Sequence, residues 1–547
     1  MFIEFDHQKI EYRPGDTYQA LAERYFPARR ILAVRIGGET LPLTTEPREG
    51  DCAWGVTLGD SEGGLIYERS LRFVFLLALH QLFPSCRVRI EHSIGRGVYG
   101  TVSGLLLTPE RVNQIRARMR EIVAQNLPFE RREVSRGEAM AYFEETGQSD
   151  KVRLLRYRPS ERFTLYRAGD MMEYFYGVMT PSTGYTPVFD LRLQLPGFVL
   201  QLPDAEHPDQ VAPFVQLPML MKTFAQSARW DRILGCKNAA DLNEMVEKRS
   251  LREFIRVNEA LQEKAISSIA DQFAESGARV LLVAGPSSSG KTTFTHRLSI
   301  ALRVLGMRPM QVSLDDYYLD RDAIEREPDG SVDLEKLSTL DVPLFNEHLA
   351  RLVQGETVET PTFDFTTGRR SPKTHTQHAA ADQPILIEGI HGLNDELTAS
   401  IARDNKFKVY ISALTTLNLD DHNRIRTTDA RLLRRMVRDY QFRNTPPEET
   451  LAMWPSVRRG EEKYIFPFQE EADVMFNSSL DYEMAILKKY IYPRLAAIEP
   501  SSPHYTMARR LVKFLNYFQT ADVEDEIPVN SILREFVGGC CFYRKND

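Results

Sequence analysis

The chain has 547 residues, 42% of them hydrophobic, and a formal net charge of −7 at pH 7. That length suits three or four domains, each able to bury a core, and the acidic balance argues against a general polyanion binder, which would carry a clear basic excess. Five cysteines in a chain of this size do not make a disulfide framework.

The opening, "MFIEFDHQKIEYRPGD", has no basic or apolar leader pattern, and "FVFLLALHQLF" is too short to span a bilayer and contains His80. A soluble cytoplasmic protein is expected, with free thiols at Cys540 and Cys541. Residues 1–60 show short strand patterns around one helical stretch, "TYQALAERYF", set between "RPGD" and "ILAVRIGG". The pattern resembles the TGS domain, a small β-grasp module at the head of threonyl-tRNA synthetases and some GTPases. "YERSLRFVFLLALHQLFPSCRVRIEHSIGRGVYGTV", "LTPERVNQIRARMREIVAQNLPFERREVSRGEAMAYFEETG" and "VMTPSTGYTPVFDL" resemble, in order and spacing, the editing domain of the same synthetases. The resemblance implies an α+β front, with a TGS-like domain over 1–60 and an editing-like domain over 61–204. That family's editing site uses an HxxxH pair on a helix and a later Cys and His. Here those positions are Arg69, Phe73, Phe175 and Met179, and none of them can serve as the missing ligand or base. The resemblance therefore implies an editing module without its chemistry, kept for structure, regulation or recognition. His80 and His92 have no partner at metal-ligand spacing and read as surface or core histidines. Helical patterns over 107–126 and 131–147 carry mixed charge and read as solvated faces.

Residues 205–275 open on the polar, proline-bearing "DAEHPDQVAP" and continue into a long helical pattern, "SLREFIRVNEALQEKAISSIADQFAES", a connector that packs the front onto the C-terminal half. Then comes "ARVLLVAGPSSSGKTTFTHRLSIALRVLG". An apolar run, Val280 to Ala284, leads into Gly285-x4-Gly290-Lys291-Thr292. Phe294, Leu298, Ala301 and Leu305 then recur at helical spacing, and Gly306 closes the helix. Strand, glycine loop and helix in that order make a phosphate-binding loop. Backbone N–H groups of Gly285, Pro286 to Ser289 and Gly290 onward wrap the phosphates, Pro286 excepted because it has no N–H, while Ser287, Ser288, Ser289 and Thr293 complete the ATP-binding set. Lys291 reaches the β- and γ-phosphates, and Thr292 ligates Mg²⁺.

Three more strand patterns come later, "MQVSLDD" (310–316), "PILIEGI" (384–390) and "KVYISAL" (408–414), separated by helical or loop segments. This alternation predicts an α/β domain with a parallel sheet over 276–480, whose chemistry lies at the strand C-terminal ends, and a helical extension over 481–547. Asp315, Asp316 and Glu388 stand at those ends, where a kinase needs carboxylates for the metal and for the acceptor proton. In "TTDARLLRRMVRDYQFR", Leu432, Leu433, Met436, Val437 and Tyr440 share one helical arc. Arg431, Arg434, Arg435 and Arg438 share the opposite arc and read as a phosphate lid.

"GPSSSGKTTF", "SLDDYYL", "PTFDF", "ILIEGI" and "DARLLRRMVRD" resemble, in order, the motifs of the uridine kinase and phosphoribulokinase family over about 280–445. The resemblance implies that Asp315 is the catalytic base and a metal neighbour, that Glu388 is the Mg²⁺-associated acid, that Asp333 holds ribose hydroxyls, and that Arg431, Arg434 and Arg438 are catalytic lid residues. The Tyr and His with which uridine kinases read the pyrimidine are here Phe363 and Gly368. Phe365 keeps an aromatic for stacking, and Arg370 or Arg369 is the candidate substitute contact. These readings predict an ATP- and Mg²⁺-dependent kinase acting on a small hydroxyl substrate, first of all the 5′-OH of a nucleoside, with relaxed base preference. The alternatives are a kinase of another small hydroxyl metabolite and a nucleotide-sensing regulator associated with RNA or the ribosome. Net acidity opposes an RNA partner, no membrane role is expected, and a homo-oligomer stays open.

Overall fold

The computed structural model of the protein describes residues 1–326, 333–364 and 367–543. At the front, strands Gln8–Glu11, Phe2–Phe5, Cys52–Thr57, Ile31–Ile36 and Glu39–Pro42 lie in that order in one mixed sheet. Helix Tyr18–Tyr25 starts at Thr17, whose hydroxyl accepts the Ala20 N–H at 3.3 Å, and it buries Tyr18 and Leu21 against Phe5 and Ile31.

Helix Ser61–Leu82 comes next, and its apolar residues share one core with a four-stranded antiparallel sheet ordered Asp190–Gln194, Gly197–Gln201, Gly97–Ser103 and Arg87–Ile94. A second sheet pairs Met171–Glu173, Arg162–Ala168 and Glu130–Ser135. Here the structure divides what the pattern at 131–147 reads as one helix. Residues 130–135 pair along Arg162–Ala168 as a strand, and only then does Ser135 cap the helix Arg136–Glu145. Its hydroxyl takes the Glu138 N–H while the Glu138 carboxylate takes the Ser135 N–H at 2.7 Å.

The long connector pattern forms helix Leu251–Ser276, closed by Gly277 at φ +70°. Beyond it, five parallel strands lie in the order Met310–Ser313, Ile385–Glu388, Val280–Ala284, Lys406–Ser412 and Val474–Asn477. The central strand is buried along its whole length, as a fully apolar run requires in a sheet covered on both faces. Three of the other four strands fall on the sequence patterns noted above. The fifth strand closes the sheet at the far edge.

One core runs from the connector helix across a sheet face to helices Thr427–Phe442, Glu483–Ala496 and Tyr505–Leu515, and takes in Phe143, Leu154 and Phe163 from the front half. Packing is therefore continuous across residues 205, 276 and 481. A polar seam complements it. The Ile90 N–H donates to the Asp421 carbonyl at 2.7 Å, Arg89 pairs with Asp421 at 2.6 Å, Arg424 pairs with Glu68 at 3.2 Å, and Arg72 donates to the His422 carbonyl at 2.7 Å. All four contacts grip residues 418–424, a hairpin that leads directly into helix Thr427–Phe442. Among the described residues, no helix is long and apolar enough to cross a membrane.

Candidate active site

The glycine loop joins strand Val280–Ala284 to helix Lys291–Val304. A Cβ at Gly285 would lie 2.0 Å from the Ile411 carbonyl oxygen, so only glycine lets the loop pass the neighbouring strand there. Gly290 turns the chain at φ +84° to present the helix N-terminus. Ser288 Oγ and Ser289 Oγ are buried with no hydrogen-bond partner among the described residues. Orphaned hydroxyls in such a cradle fit phosphate oxygens, which would satisfy them. Lys291 Nζ lies 3.4 Å from the Pro286 carbonyl, folded back over the loop.

Three carboxylates converge on Lys291. Asp315, at the end of strand Met310–Ser313, is open to the cleft. The protein around its carboxyl raises its pKa, while Lys291, Arg443 and Arg438 draw it down. Glu388 ends its own strand and accepts the Thr292 hydroxyl at 3.3 Å. Burial pushes it up to about 7 against the pull of Lys291, and Asp315 and Glu535 add to the rise. Glu335 is the third, a residue the sequence analysis does not single out. Burial, with Glu461 nearby, lifts it to about 7, and its Oε2 is buried without a partner among the described residues. The oxygens of Thr292, Asp315 and Glu388 make a hard donor set that suits Mg²⁺, an ion that commonly takes one or two carboxylates and fills its shell from phosphates and water. Among the described residues, no group of three or more His, Cys, Asp or Glu holds a metal alone. Asp316 accepts the Phe363 N–H at 3.4 Å.

The arginine helix differs from its sequence pattern. The arc opposite the leucines is not open: Arg431 is 1% exposed and Arg434 is fully buried. Arg431 pairs with Glu461 and donates from Nε to the Ser287 carbonyl at 3.0 Å. Arg434 donates from Nε to Glu483 at 2.9 Å and also to Ser478, whose hydroxyl donates to the Ser289 carbonyl. Both brace the loop from behind. Arg435 donates to Ser287 Oγ at 2.8 Å and shares Asp439 with Arg438 and Arg443. Arg443, also outside the sequence reading, is lowered to about 10 by burial and by its neighbouring arginines. The open side of the loop thus faces Arg435, Arg438 and Arg443.

On the acceptor side, Asp333 accepts the Glu335 N–H at 3.1 Å. Phe363 is nearly buried, 5.6 Å from the Tyr318 ring, and Phe365 lies outside the described residues. Arg370 does not offer its guanidinium to the cleft. It donates to the Tyr318 and Tyr317 carbonyls and pairs with Asp341 at 3.1 Å, which locks the short hairpin in place. Arg369 pairs with Asp322 at 2.5 Å. A cavity of about 240 Å³ lies beside Thr292, Ser313, Asp316 and Glu388.

The C-terminal tail reaches the loop. Glu535 accepts both the Thr293 N–H, at 3.2 Å, and its hydroxyl, at 2.8 Å. Phe542 stacks on His296 at 4.9 Å.

In the front module, the four positions named from the synthetase resemblance are taken up by packing and by a main-chain contact. Phe73, Phe175 and Met179 are buried, with Phe73 edge-on to Phe129 at 5.1 Å, and Arg69 donates to the Val178 carbonyl. His92 is sandwiched between Phe224, at 3.5 Å, and Tyr99, at 4.9 Å.

A five-stranded parallel sheet with a glycine loop at its central strand and acids at the adjoining strand ends defines the P-loop kinase fold. Residues 280–485 match the phosphoribulokinase / uridine kinase family. The N-terminal region is similar to threonine–tRNA ligases. The ligase of Nitratidesulfovibrio vulgaris is 32% identical over 198 residues, covering 35% of this chain and 30% of the ligase. That of Acidithiobacillus ferrooxidans is 33% identical over 168 residues, covering 30% and 26%. The chain thus spans under a third of the length of these curated relatives. Among solved structures, a Bacillus stearothermophilus protein described as a possible uridine kinase is 21% identical, with 38% of this chain and 98% of that chain covered and a TM-score of 0.26. A protein from a Silicibacter species, described as a fructose transport system kinase, is 20% identical, with 39% and 98% covered and a TM-score of 0.29.

Proposed function

We propose that the protein is an ATP- and Mg²⁺-dependent kinase that phosphorylates the 5′-hydroxyl of a nucleoside. The observation that carries this reading is Asp315, a carboxylate open to the cleft and held beside Lys291 at the mouth of the phosphate loop. A raised pKa suits a base that must take a proton from an alcohol. As Asp315 accepts the acceptor hydroxyl's proton, the acceptor oxygen bonds to the γ-phosphorus and the bond to the departing ADP oxygen breaks. Lys291, the loop N–H groups and the cluster of Arg435, Arg438 and Arg443 hold the phosphate charge. Thr292 and Glu388 would hold Mg²⁺, which would supply positive charge against that of the phosphates. Five free cysteines are consistent with a reducing, cytoplasmic setting.

With Phe363 and Gly368 at the base-reading positions and Arg370 committed elsewhere, few polar groups remain to read a base edge. A pocket that hydrogen-bonds its substrate can discriminate by about 10⁴–10⁵, an apolar one by only about 10–200-fold. The test is kcat/KM for uridine, cytidine, inosine, adenosine and guanosine, with non-nucleoside sugars as further acceptors. Nucleosides should lead, with ratios in the lower range. A uridine preference above about 10⁴ over purines contradicts the relaxed pocket, and a sugar that outruns all five nucleosides overturns the nucleoside assignment.

A further inference from the structure

Outside the kinase cleft, a cavity of about 100 Å³ opens where the front sheet, helix Ser61–Leu82 and helix Tyr505–Leu515 meet. Arg69, Arg509, Arg510 and Lys513 line it, against Glu39 and Glu62. Two of these charges are already answered. Arg510 is bidentate to Asp429 at 2.6 and 2.8 Å. Glu62 takes the Thr40 hydroxyl at 2.7 Å and Arg35 at 3.4 Å. Arg69, Arg509, Lys513 and Glu39 remain, and among the described residues none of the three cations has a carboxylate oxygen within ion-pair distance.

The cost of that arrangement shows in the side chains. The Arg69 guanidinium is wedged against Gly177, where a Cβ would lie 2.6 Å from its Nη2, and it donates to the Val178 carbonyl. Burial lowers its pKa. Lys513 is lowered first by burial, with Glu39 opposing and Arg509, Arg158 and Arg131 adding to the fall. Cations crowded into a partly desolvated pocket destabilise one another until an anion joins them.

We propose that this cavity is a binding site for a small phosphate-type oxyanion, held by Arg69, Arg509 and Lys513. Two guanidinium forks and an ammonium around a space of this size suit a tetrahedral oxyanion with little attached. The site is joined to the kinase loop. Arg510, in its wall, holds Asp429 on helix Thr427–Phe442, and that helix places Arg431 and Arg435 on Ser287. An anion drawn into the cavity competes with Asp429 for Arg510 and so bears on the helix that braces the loop. The front half thereby gains a role as one wall of an effector pocket.

The kinase loop also binds phosphate, so the test uses full-length protein carrying Lys291→Ala. Inorganic phosphate is titrated by calorimetry and thermal shift, with chloride at matched ionic strength as the control. Phosphate should bind this protein and raise its Tm. Adding Arg509→Gln and Lys513→Gln, at two exposed positions, should weaken binding at least about tenfold, and Arg69→Gln should do the same. No phosphate binding in the Lys291→Ala protein, or equal binding with and without the three cations, overturns the proposal. Either result leaves the kinase reading untouched, because no turnover is measured.

Discussion

The kinase cleft and the front module each contain a helix with a polar history, and they treat its side chains in opposite ways. Around the glycine loop, Ser288 Oγ, Ser289 Oγ and Glu335 Oε2 are buried without partners among the described residues, and Glu388 and Glu335 sit near 7. On helix Ser61–Leu82, Phe73 is packed into the core and Arg69 donates to the Val178 carbonyl. Glu68 and Arg72 hold Arg424 and the His422 carbonyl of the kinase half. In the cleft these unpartnered hydroxyls and raised carboxylates lie together beside the glycine loop. In the front module the corresponding helix serves packing and contacts to the hairpin behind the arginine helix.

The sharpest way to break that comparison is to remove the groups that distinguish the cleft. Lys291→Ala and Asp315→Asn should each lower phosphoryl transfer by about 10²–10⁴, while Asp315→Asn keeps nucleotide binding. Near-normal turnover in Asp315→Asn removes the base assignment. On the other side of the comparison, Phe73→Ala should cost about 3–5 kcal/mol of stability, because Phe73 is wholly buried against Phe129 and Phe175. Equilibrium denaturation measures it. A cost near zero would mean the old site is an open pocket rather than a core.

His92 sharpens the comparison further, since it is a histidine of the front half kept for packing. Burial between Phe224 and Tyr99 holds it down to about 3 from an ordinary 6.5. The folded protein therefore keeps it neutral while the unfolded chain takes a proton below 6.5, so this contribution to stability is full above 6.5 and shrinks as pH falls towards 3. By pH 5 the loss should be about 2 kcal/mol. Denaturation of wild type and His92→Phe at pH 7 and pH 5 isolates it. The same pH slope in both proteins contradicts the assignment.

Local pattern made much of this architecture legible. Val280–Ala284, the loop and its helix follow from period and glycine placement alone, and so do Asp315 and Glu388 at strand ends. What escaped depends on distant partners. Arg431 and Arg434 fall on the arc opposite the leucines, yet Glu461 and Glu483, 30 and 49 residues downstream, draw them inward. A buried ion pair gives no periodic signal. Glu335 is covered at Gly460, 125 residues downstream, where a Cβ would lie 2.2 Å from its own Cβ. Residues 131–135 read as helix because the segment is charged and runs into a helix; only the partner strand Arg162–Ala168 makes them a strand.

Glu535 is the furthest of these distant partners and carries the smallest predicted effect. It lies 242 residues from Thr293 in the chain, in a stretch that reads only as part of a helical extension. Its carboxylate occupies the N–H and hydroxyl of Thr293, donors at the start of the loop helix that a nucleotide phosphate would use. It also adds negative charge beside Glu388. An arriving phosphate must displace that carboxylate and then sit near it. Glu535→Gln removes the charge and keeps the size, so ATP should bind about five-fold more tightly, the equivalent of about 1 kcal/mol. Calorimetric titration of ATP into wild type and Glu535→Gln reads this directly. Weaker binding in the variant would make Glu535 a supporting residue of the nucleotide site, and the tail would then belong to the cleft's working groups rather than compete with its ligand.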